Sequence, residues 1–553
     1  MDFLLILLFY YLLPFAGMAP LFAKANQPAW AALVPGYNLY VWTKVIGCPT
    51  WWAVLWLVPI LNFFVAAGML IELNKSFRIY SFWENALAIL VPFAWLPYMG
   101  FVRKPDYDQP TWAITKDLKK RYRIAQKEND TVALRKLDKE NPFPKKTVVR
   151  EWSESIIFAV FAAHFIRMFL IEAYTIPTPS MEGSLLVGDF LFVSKVHYGS
   201  RMPMTPLAFP LVHNMLPFST KESYSKTPTW DYRRAPALQS VHRYDPVVFN
   251  YPEDDTIFGG AAAANYGMQY YNQINRELTE NREATRQRLW RERGKDIIVR
   301  PVDKRSHYIK RCVGIPNDVI EVKAGVLYVN GETTTNYPNI QYKHDIYFNG
   351  NIGNKTLAEI EENYTVTYSS NISPMGTGYT IKADIPAETA AELRKKYSNV
   401  IDSISRQSAL SPPNTYGGGI FPFDEKNYPW NIDWYGPLTI PAKGKTIELT
   451  LKNLPIYRRI ITAYEGNTLA VQGNQILING EATTTYTPKL DYYWMMGDNR
   501  NNSADSRMWG FVPEDHIVGK PLFVWLSLKN ATLRGEGGGV RWNRFFMGAS
   551  GEK

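Results

Sequence analysis

The sequence predicts an N-terminal α-helical membrane region joined to a mostly-β outer domain with an inserted β-rich subdomain and short helices. Three observations predict it. Apolar residues are bunched into runs of about 20 ahead of residue 102, the length that crosses a bilayer. A basic stretch follows, then one more apolar run. From Tyr174 onward, apolar and polar residues alternate with the period of strands. The chain has 553 residues, 46% of them apolar, which is enough for several domains. Its slightly negative mean hydropathy excludes a wholly membrane-buried protein.

Residues 1–102 read as a multi-span membrane region. Met1–Phe22 is nearly uncharged and long enough to span; a cleaved signal peptide is the competing reading, but further apolar runs follow. Trp51–Leu73 and Phe82–Val102 read as two more spans edged by Trp or Tyr. Trp30–Ile46 is interrupted by Pro35, Asn38 and Lys44, so it reads as a further span or as an interfacial or re-entrant piece. Residues 103–150 hold 14 Lys and Arg against 7 Asp and Glu, a surplus of +7 within the net +10. Such a run fits nucleic acid. Between apolar segments it fits a cytoplasmic loop under the positive-inside bias better, and no nucleic-acid partner is expected. Residues 151–173 read as the anchor. Its apolar run Ser153–Ile171 contains His164 and Arg167, the latter near the outer end where its stem can snorkel. Everything after Glu172 is then external. Lys75 and Arg78, which would fall in an external loop, are a mild objection.

Beyond Tyr174, residues 189–194, 246–249, 318–322 and 325–329 read as strands. Asn330-Gly331 and Asn479-Gly480 are hairpin signals. They lie at the same place in a short internal repeat with an offset of 149 residues; a duplicated ribbon and two convergent hairpins are equally open. Gln269–Glu292 is polar with helical spacing, and Pro386–Tyr397 reads as a short helix with Pro in its first turn. The predicted layout is a core at 174–331 with an insert at about 253–302, a second subdomain at 332–490, and the rest of the core at 491–553. Cys48 and Cys312 suit neither a disulfide nor a metal site, and no metal or cofactor is expected.

Three segments carry chemistry. The first runs Ile176-Pro177-Thr178-Pro179-Ser180-Met181-Glu182-Gly183-Ser184-Leu185. The second runs Tyr308-Ile309-Lys310-Arg311-Cys312-Val313-Gly314-Ile315-Pro316-Asn317-Asp318. The third runs Gly497-Asp498-Asn499-Arg500-Asn501-Asn502-Ser503-Ala504-Asp505-Ser506-Arg507. Singly each is dull: a turn serine, an outward strand lysine, a polar loop capped by its own side chains. Together, with residues 242–252, they resemble type I signal peptidases in order, internal spacing and placement just beyond an outward-running span. Trp30–Phe77 also looks like a small membrane domain fused to some of these peptidases.

The resemblance implies a signal-peptidase-like β fold. It further implies a serine endopeptidase that removes signal peptides from exported preproteins, with Ser180 as nucleophile and Lys310 as general base. Thr178 falls at the family's oxyanion-hole hydroxyl, and Ser503 at the serine that orients the lysine. Asp505, Arg507 and Arg311 match charged positions bracing the site. Tyr174, Ile176, Met181, Tyr308 and Ile309 match positions lining the pockets for small substrate side chains. The implied partners are signal-peptide-bearing preproteins, the lipid bilayer of the inner membrane and, as a further candidate, the secretion translocase. Three departures stand out: Gly183-Ser184-Leu185 where Pro-Thr-Leu is usual, Pro179 at a position commonly small, and Pro316-Asn317-Asp318 where Pro-Gly-Asp is usual. None removes a catalytic group.

A lysine base makes chemical sense. None of the seven histidines sits in a motif with serine and acid. An ordinary lysine is neutral in only about 1 molecule in ~2500 at pH 7, but burial disfavours the ammonium. Nine residues separate Ile171 from Ser180, at most ~30 Å of chain, so the serine hangs near the bilayer. Two rivals are weaker. A self-cleaving Ser/Lys repressor needs a DNA-binding head, and an inactive scaffold would not keep every catalytic position filled.

Overall fold

The computed structural model describes residues 11–57, 61–141, 147–217, 219, 221–258, 270–271, 273–274, 282–333, 339–349, 353, 356, 359–360, 367–368, 373–375, 378–410, 419–529 and 539–549. The chain forms two compact units, Met1–Phe158 and Ala159–Lys553.

The first unit is helical. It contains α1 (Leu13–Lys24), α2 (Tyr37–Ile46), α3 (Leu61–Ser76), α4 (Phe82–Leu90), α5 (Pro92–Pro97), α6 (Thr111–Lys127) and α7 (Thr131–Glu140). Met18, Phe22, Trp42, Met69, Leu73 and Met99 pack in its core. Glycine allows the tightest crossing: a Cβ on Gly100 would lie 2.1 Å from the Gly17 carbonyl oxygen, so any larger residue would push α1 off the 98–103 turn. The expected spans come out differently. Trp51–Leu73 is broken into a single turn at Trp52–Leu55 and then α3. Phe82–Val102 bends by 111° between α4 and the Pro92–Arg103 stretch. Pro92 has no N–H to give and bars the helical conformation at Val91, which sits at φ −134 and ψ 55. α2 has ten residues, about 15 Å, too short to cross. Residues 1–10 and 58–60 of the expected spans lie outside the described residues. Lys75 is paired with Glu72 at 2.7 Å and Arg78 with Asp108 at 2.7 Å, which answers part of the charge objection.

α8 (Val148–Phe169) has 22 residues and no buried side chain. Its length, about 33 Å, matches the ~30 Å hydrocarbon layer. It is the only described helix long and apolar enough to cross a membrane, unless the bent 82–103 pair counts as one span.

The second unit is mostly β. Its strands are β1 (Ile171–Thr175), β2 (Asp189–Ser194), β3 (Pro246–Asn250), β4 (His307–Gly314), β5 (Val319–Lys323), β6 (Val326–Val329), β7 (Glu332–Thr333), β8 (Gln341–Phe348), β9 (Gly378–Pro386), β10 (Ile401–Arg406), β11 (Tyr435–Thr439), β12 (Leu469–Gln472), β13 (Gln475–Ile478), β14 (Glu481–Ala482), β15 (Tyr492–Met496), β16 (Val512–Pro513) and β17 (Ile517–Lys529). The main sheet runs β1-β2-β17-β3-β4-β15-β16, all antiparallel. The segments read as strands from the sequence at 189–194 and 246–249 are β2, next to the edge strand β1, and β3, at the centre.

Within 332–490 the chain does two things. β8, β9 and β10 join two short strands in a separate sheet. Against it packs the helix Ala387–Lys396, which starts just after Pro386 and buries Leu393 beside Ile346 and Ala383. Residues from 420 onward return: β11 pairs with β5, and Leu454, Ile460 and Ile476 share one core with Ile320 and Trp494. In the insert at about 253–302, the short strands 256–258 and 297–299 pair and Arg282–Arg293 is helical; most of 259–281 lies outside the described residues.

Candidate active site

Ser180 sits on the turn Pro179–Met181, entered from an extended Thr178 at φ −132, ψ 152. Pro179, one of the departures, fits this first turn position because no partner is needed for its missing N–H. Gly183 holds φ +97, and a Cβ there would lie 2.0 Å from the Asn339 carbonyl oxygen. The segment entering β8 therefore presses on the nucleophile loop, and only glycine fits.

Lys310 comes from the middle of β4, opposite Val247 of β3. Its Nζ donates to Ser180 Oγ at 2.6 Å and to the Ile309 carbonyl at 3.0 Å. Ser180 is 7% exposed and Lys310 is 4% exposed. Burial lowers the Lys310 pKa to about 8, against the opposing pull of Asp505 and Asp498. Both carboxylates come from the third segment. Each is held by an arginine. Arg311 forks onto Asp498 at 2.7 and 2.6 Å and also donates to Ser184 Oγ at 2.9 Å. Arg507 donates to Asp505 at 2.9 and 2.8 Å and to the Arg500 carbonyl at 2.7 Å. Burial raises the Asp505 pKa, but Arg507 outweighs it and holds the carboxyl below its ordinary range. Both carboxylates are therefore already engaged, and neither bonds the amine.

Two departures now have physical accounts. Ser184 supplies the hydroxyl that Arg311 uses. Asn317 sits at φ +75, a left-handed conformation that asparagine, after glycine, tolerates best.

Thr178 Oγ1 lies 3.4 Å from Ser180 Oγ. Ser503 differs from its expected role. Its hydroxyl is buried with no hydrogen-bond partner among the described residues. It packs against Gly497, where a Cβ would lie 2.2 Å from it, while the lysine points to Ser180 and Ile309. The expected pocket residues divide. Ile176, Met181, Tyr174 and Ile309 share one apolar cluster with Leu185 and Val248. Tyr308 belongs to another, stacked on Tyr251 at 4.5 Å. Met181 is wholly buried. The Tyr174 hydroxyl donates to Glu172 at 2.7 Å.

Sequence reasoning missed the residues that brace the third segment. Asn499 N donates to the Ser180 carbonyl at 3.2 Å. Gln341 of β8 exchanges backbone bonds with Asp498 and Arg500 at 2.9 and 3.0 Å. Asp384 of β9 accepts from Asn499 and Asn502. Nothing local at 341 or 384 signals this, because the contact is made across the inserted sheet.

A family described as "Signal peptidase, peptidase S26" matches residues 149–384 and 488–526. A family of unknown function matches residues 30–110. Among curated proteins, the signal peptidase I of Buchnera aphidicola subsp. Schizaphis graminum is 24% identical over 73% of this chain and 82% of its own length. That of Haemophilus influenzae is 24% identical over 71% and 74%. That of Helicobacter pylori is 41% identical over a short stretch, 15% of this chain and 34% of its own. By class, then, the molecule is a peptidase. More narrowly, the chain belongs to the signal peptidase I family.

Proposed function

We propose that this chain is a membrane-bound serine endopeptidase that removes N-terminal signal peptides from exported preproteins through Ser180 and Lys310. One observation carries the reading: the Lys310 amine stands 2.6 Å from the Ser180 hydroxyl, with both groups buried. Magnitude supports it. With a pKa of about 8, roughly one lysine in ten is neutral at pH 7, against about one in ~2500 for an ordinary lysine. The neutral amine takes the Ser180 proton as Oγ bonds to the scissile carbonyl carbon. The oxyanion that forms is met by the Ser180 N–H and the Thr178 hydroxyl; a single donor of this kind is worth ~10²–10³ in rate. Lys310 then gives its proton to the leaving amine as the C–N bond breaks. Water, activated by the same amine, releases the acyl group. Asp505, Arg507 and Arg311 brace the lysine's surroundings, and Tyr174, Ile176, Tyr308 and Ile309 shape the entry for small side chains.

The setting in the cell follows from α8 and the basic 103–150 stretch. A multi-pass protein of the inner membrane, with its catalytic unit on the outer side, would meet a translocated preprotein beside the bilayer. The test is cleavage of a preprotein by the full chain in detergent. Wild type should cut it, and Ser180→Ala and Lys310→Ala should each fail while melting as wild type does. Cleavage retained by either variant defeats the dyad, and an inert wild type defeats the function.

A further inference from the structure

At the C-terminal end of α8 lies a cavity of about 110 Å³, formed with β1, the segments after β2 and the 303–307 stretch. That is well above the ~10–15 Å³ that admits a single water. Four cations line it: Arg167, Lys195, Arg201 and Lys304. Only two carboxylates do, Glu172 and Asp303. Burial lowers the pKa of His213 to about 4 and pushes His307 down as well, so both are neutral at pH 7. The wall therefore carries two positive charges in excess.

Three of the four cations are engaged. Arg167 and Lys195 hold Glu172 at 2.6 and 2.8 Å. Arg201 donates to the Asp515 carbonyl at 2.6 Å and to Asn250 at 2.8 Å. Lys304 is different. It is 9% exposed, yet among the described residues its ammonium has no hydrogen bond or carboxylate partner. Its Nζ lies over the Tyr224 ring, 5.4 Å from the centroid. Neighbouring Asp303 does not take it: one carboxylate oxygen accepts from Met204 N, Thr205 N and Thr205 Oγ1, and the other has no partner. A buried, unpaired ammonium is unfavourable without a counter-charge, and a wall with excess positive charge suits an anion.

Several donors converging from separate elements suit an anion with several oxygens. α8 exposes an apolar surface that ends at Arg167, where phosphates of a bilayer would lie. We propose that this cavity is a binding site for a phosphoryl anion, with Lys304 as its principal donor and Arg167 at its rim. The phosphoryl group comes either from a lipid headgroup or from free phosphate, and the experiment separates the two.

The full chain, purified in an uncharged phosphate-free detergent, is titrated with inorganic phosphate, with a short-chain phosphatidylglycerol, and with the diacylglycerol lacking phosphate. Phosphatidylglycerol binding more tightly than phosphate identifies a headgroup site; the reverse order identifies a free-anion site. Lys304→Met keeps the apolar stem and should weaken the preferred titrant about tenfold or more. Should that variant melt lower than wild type, the partly exposed Arg167→Gln carries the same test, with about a threefold loss. No binding of either phosphate compound, equal affinity for the diacylglycerol, or unchanged affinity in a folded variant overturns the proposal.

Discussion

Residues 318–332 and 467–481 fold alike. In the first stretch Asn330 accepts from Val319 N at 2.8 Å and donates to Asp318 at 3.0 Å. In the second, Asn479 accepts from Thr468 N and donates to Asn467, both at 2.9 Å. Both asparagines have φ +54 and are followed by a left-handed glycine, the turn that suits a tight hairpin. The segments feeding the two ribbons differ. The first is fed by β4, which buries Lys310 and Arg311. At the same offset, the second has Arg459 and Ile460, on the helix Leu454–Arg459 and just beyond it. Arg459 reaches the Pro252 carbonyl at 3.0 Å and lies over the Tyr271 and Tyr464 rings. Ile460 is fully buried among apolar side chains. One ribbon thus recurs in two settings within one core, and what differs is the segment that precedes it and what the 497–507 loop brings alongside.

The largest expected effect separates the two feeding segments. Lys310→Met should cost ~10²–10⁴ in kcat. Arg459→Met should leave the pH profile where it was, even if it lowers the melting temperature. In wild type, kcat/KM should climb with pH and reach half its maximum near pH 8, because the base works only when deprotonated. A profile flat from pH ~5 to ~9, or a midpoint shifted by Arg459→Met, would end the contrast.

The next effect is on stability. Asp498→Ala leaves the Arg311 guanidinium, 1% exposed, without its carboxylate. Breaking such a buried pair costs ~3–5 kcal/mol, read as a lower denaturant midpoint. Adding Arg311→Met should recover much of the loss, since the stranded charge is then gone. If the double variant is no more stable than Asp498→Ala, the pair is not what holds the loop beside β4.

These contrasts also show what the sequence could reveal. Strands β2, β3, β5 and β6 were legible because alternation and the Asn-Gly turns are local signals. The meeting of Ser180 and Lys310, 2.6 Å apart, was expected only through the resemblance, since Lys310 alone looks like any strand lysine. The membrane region was harder. Composition read Phe82–Val102 as one span, but a single proline at 92 bends the path by 111°. Asp384 and Gln341 were not legible, because their role depends on a sheet docking far along the chain. Asp505 was expected at the site only through the resemblance; that it and Asp498 act on Lys310 follows from folding, since they are distant from it in sequence.

The smallest effect tests whether the two ribbons are as alike as their hydrogen bonds suggest. Asn330→Ala removes two side-chain bonds and Asn479→Ala three, worth about 1 kcal/mol apiece. Each also forces alanine into a left-handed conformation that costs ~1–2 kcal/mol. Losses of ~3–4 kcal/mol for Asn330→Ala and ~4–5 kcal/mol for Asn479→Ala are expected, seen as lower urea midpoints. They should then diverge. Asp318, which Asn330 steadies, also takes Arg243 at 2.7 Å and Ile315 N at 3.0 Å, so it locks the turn that leaves β4. Asn330→Ala should therefore lower kcat/KM as well as stability. Among the described residues Asn467, which Asn479 steadies, bonds only to Tyr486 and its own ribbon and helix end, so Asn479→Ala should spare kcat/KM. If both variants lost activity in proportion to stability, the second ribbon would be coupled to the dyad as closely as the first.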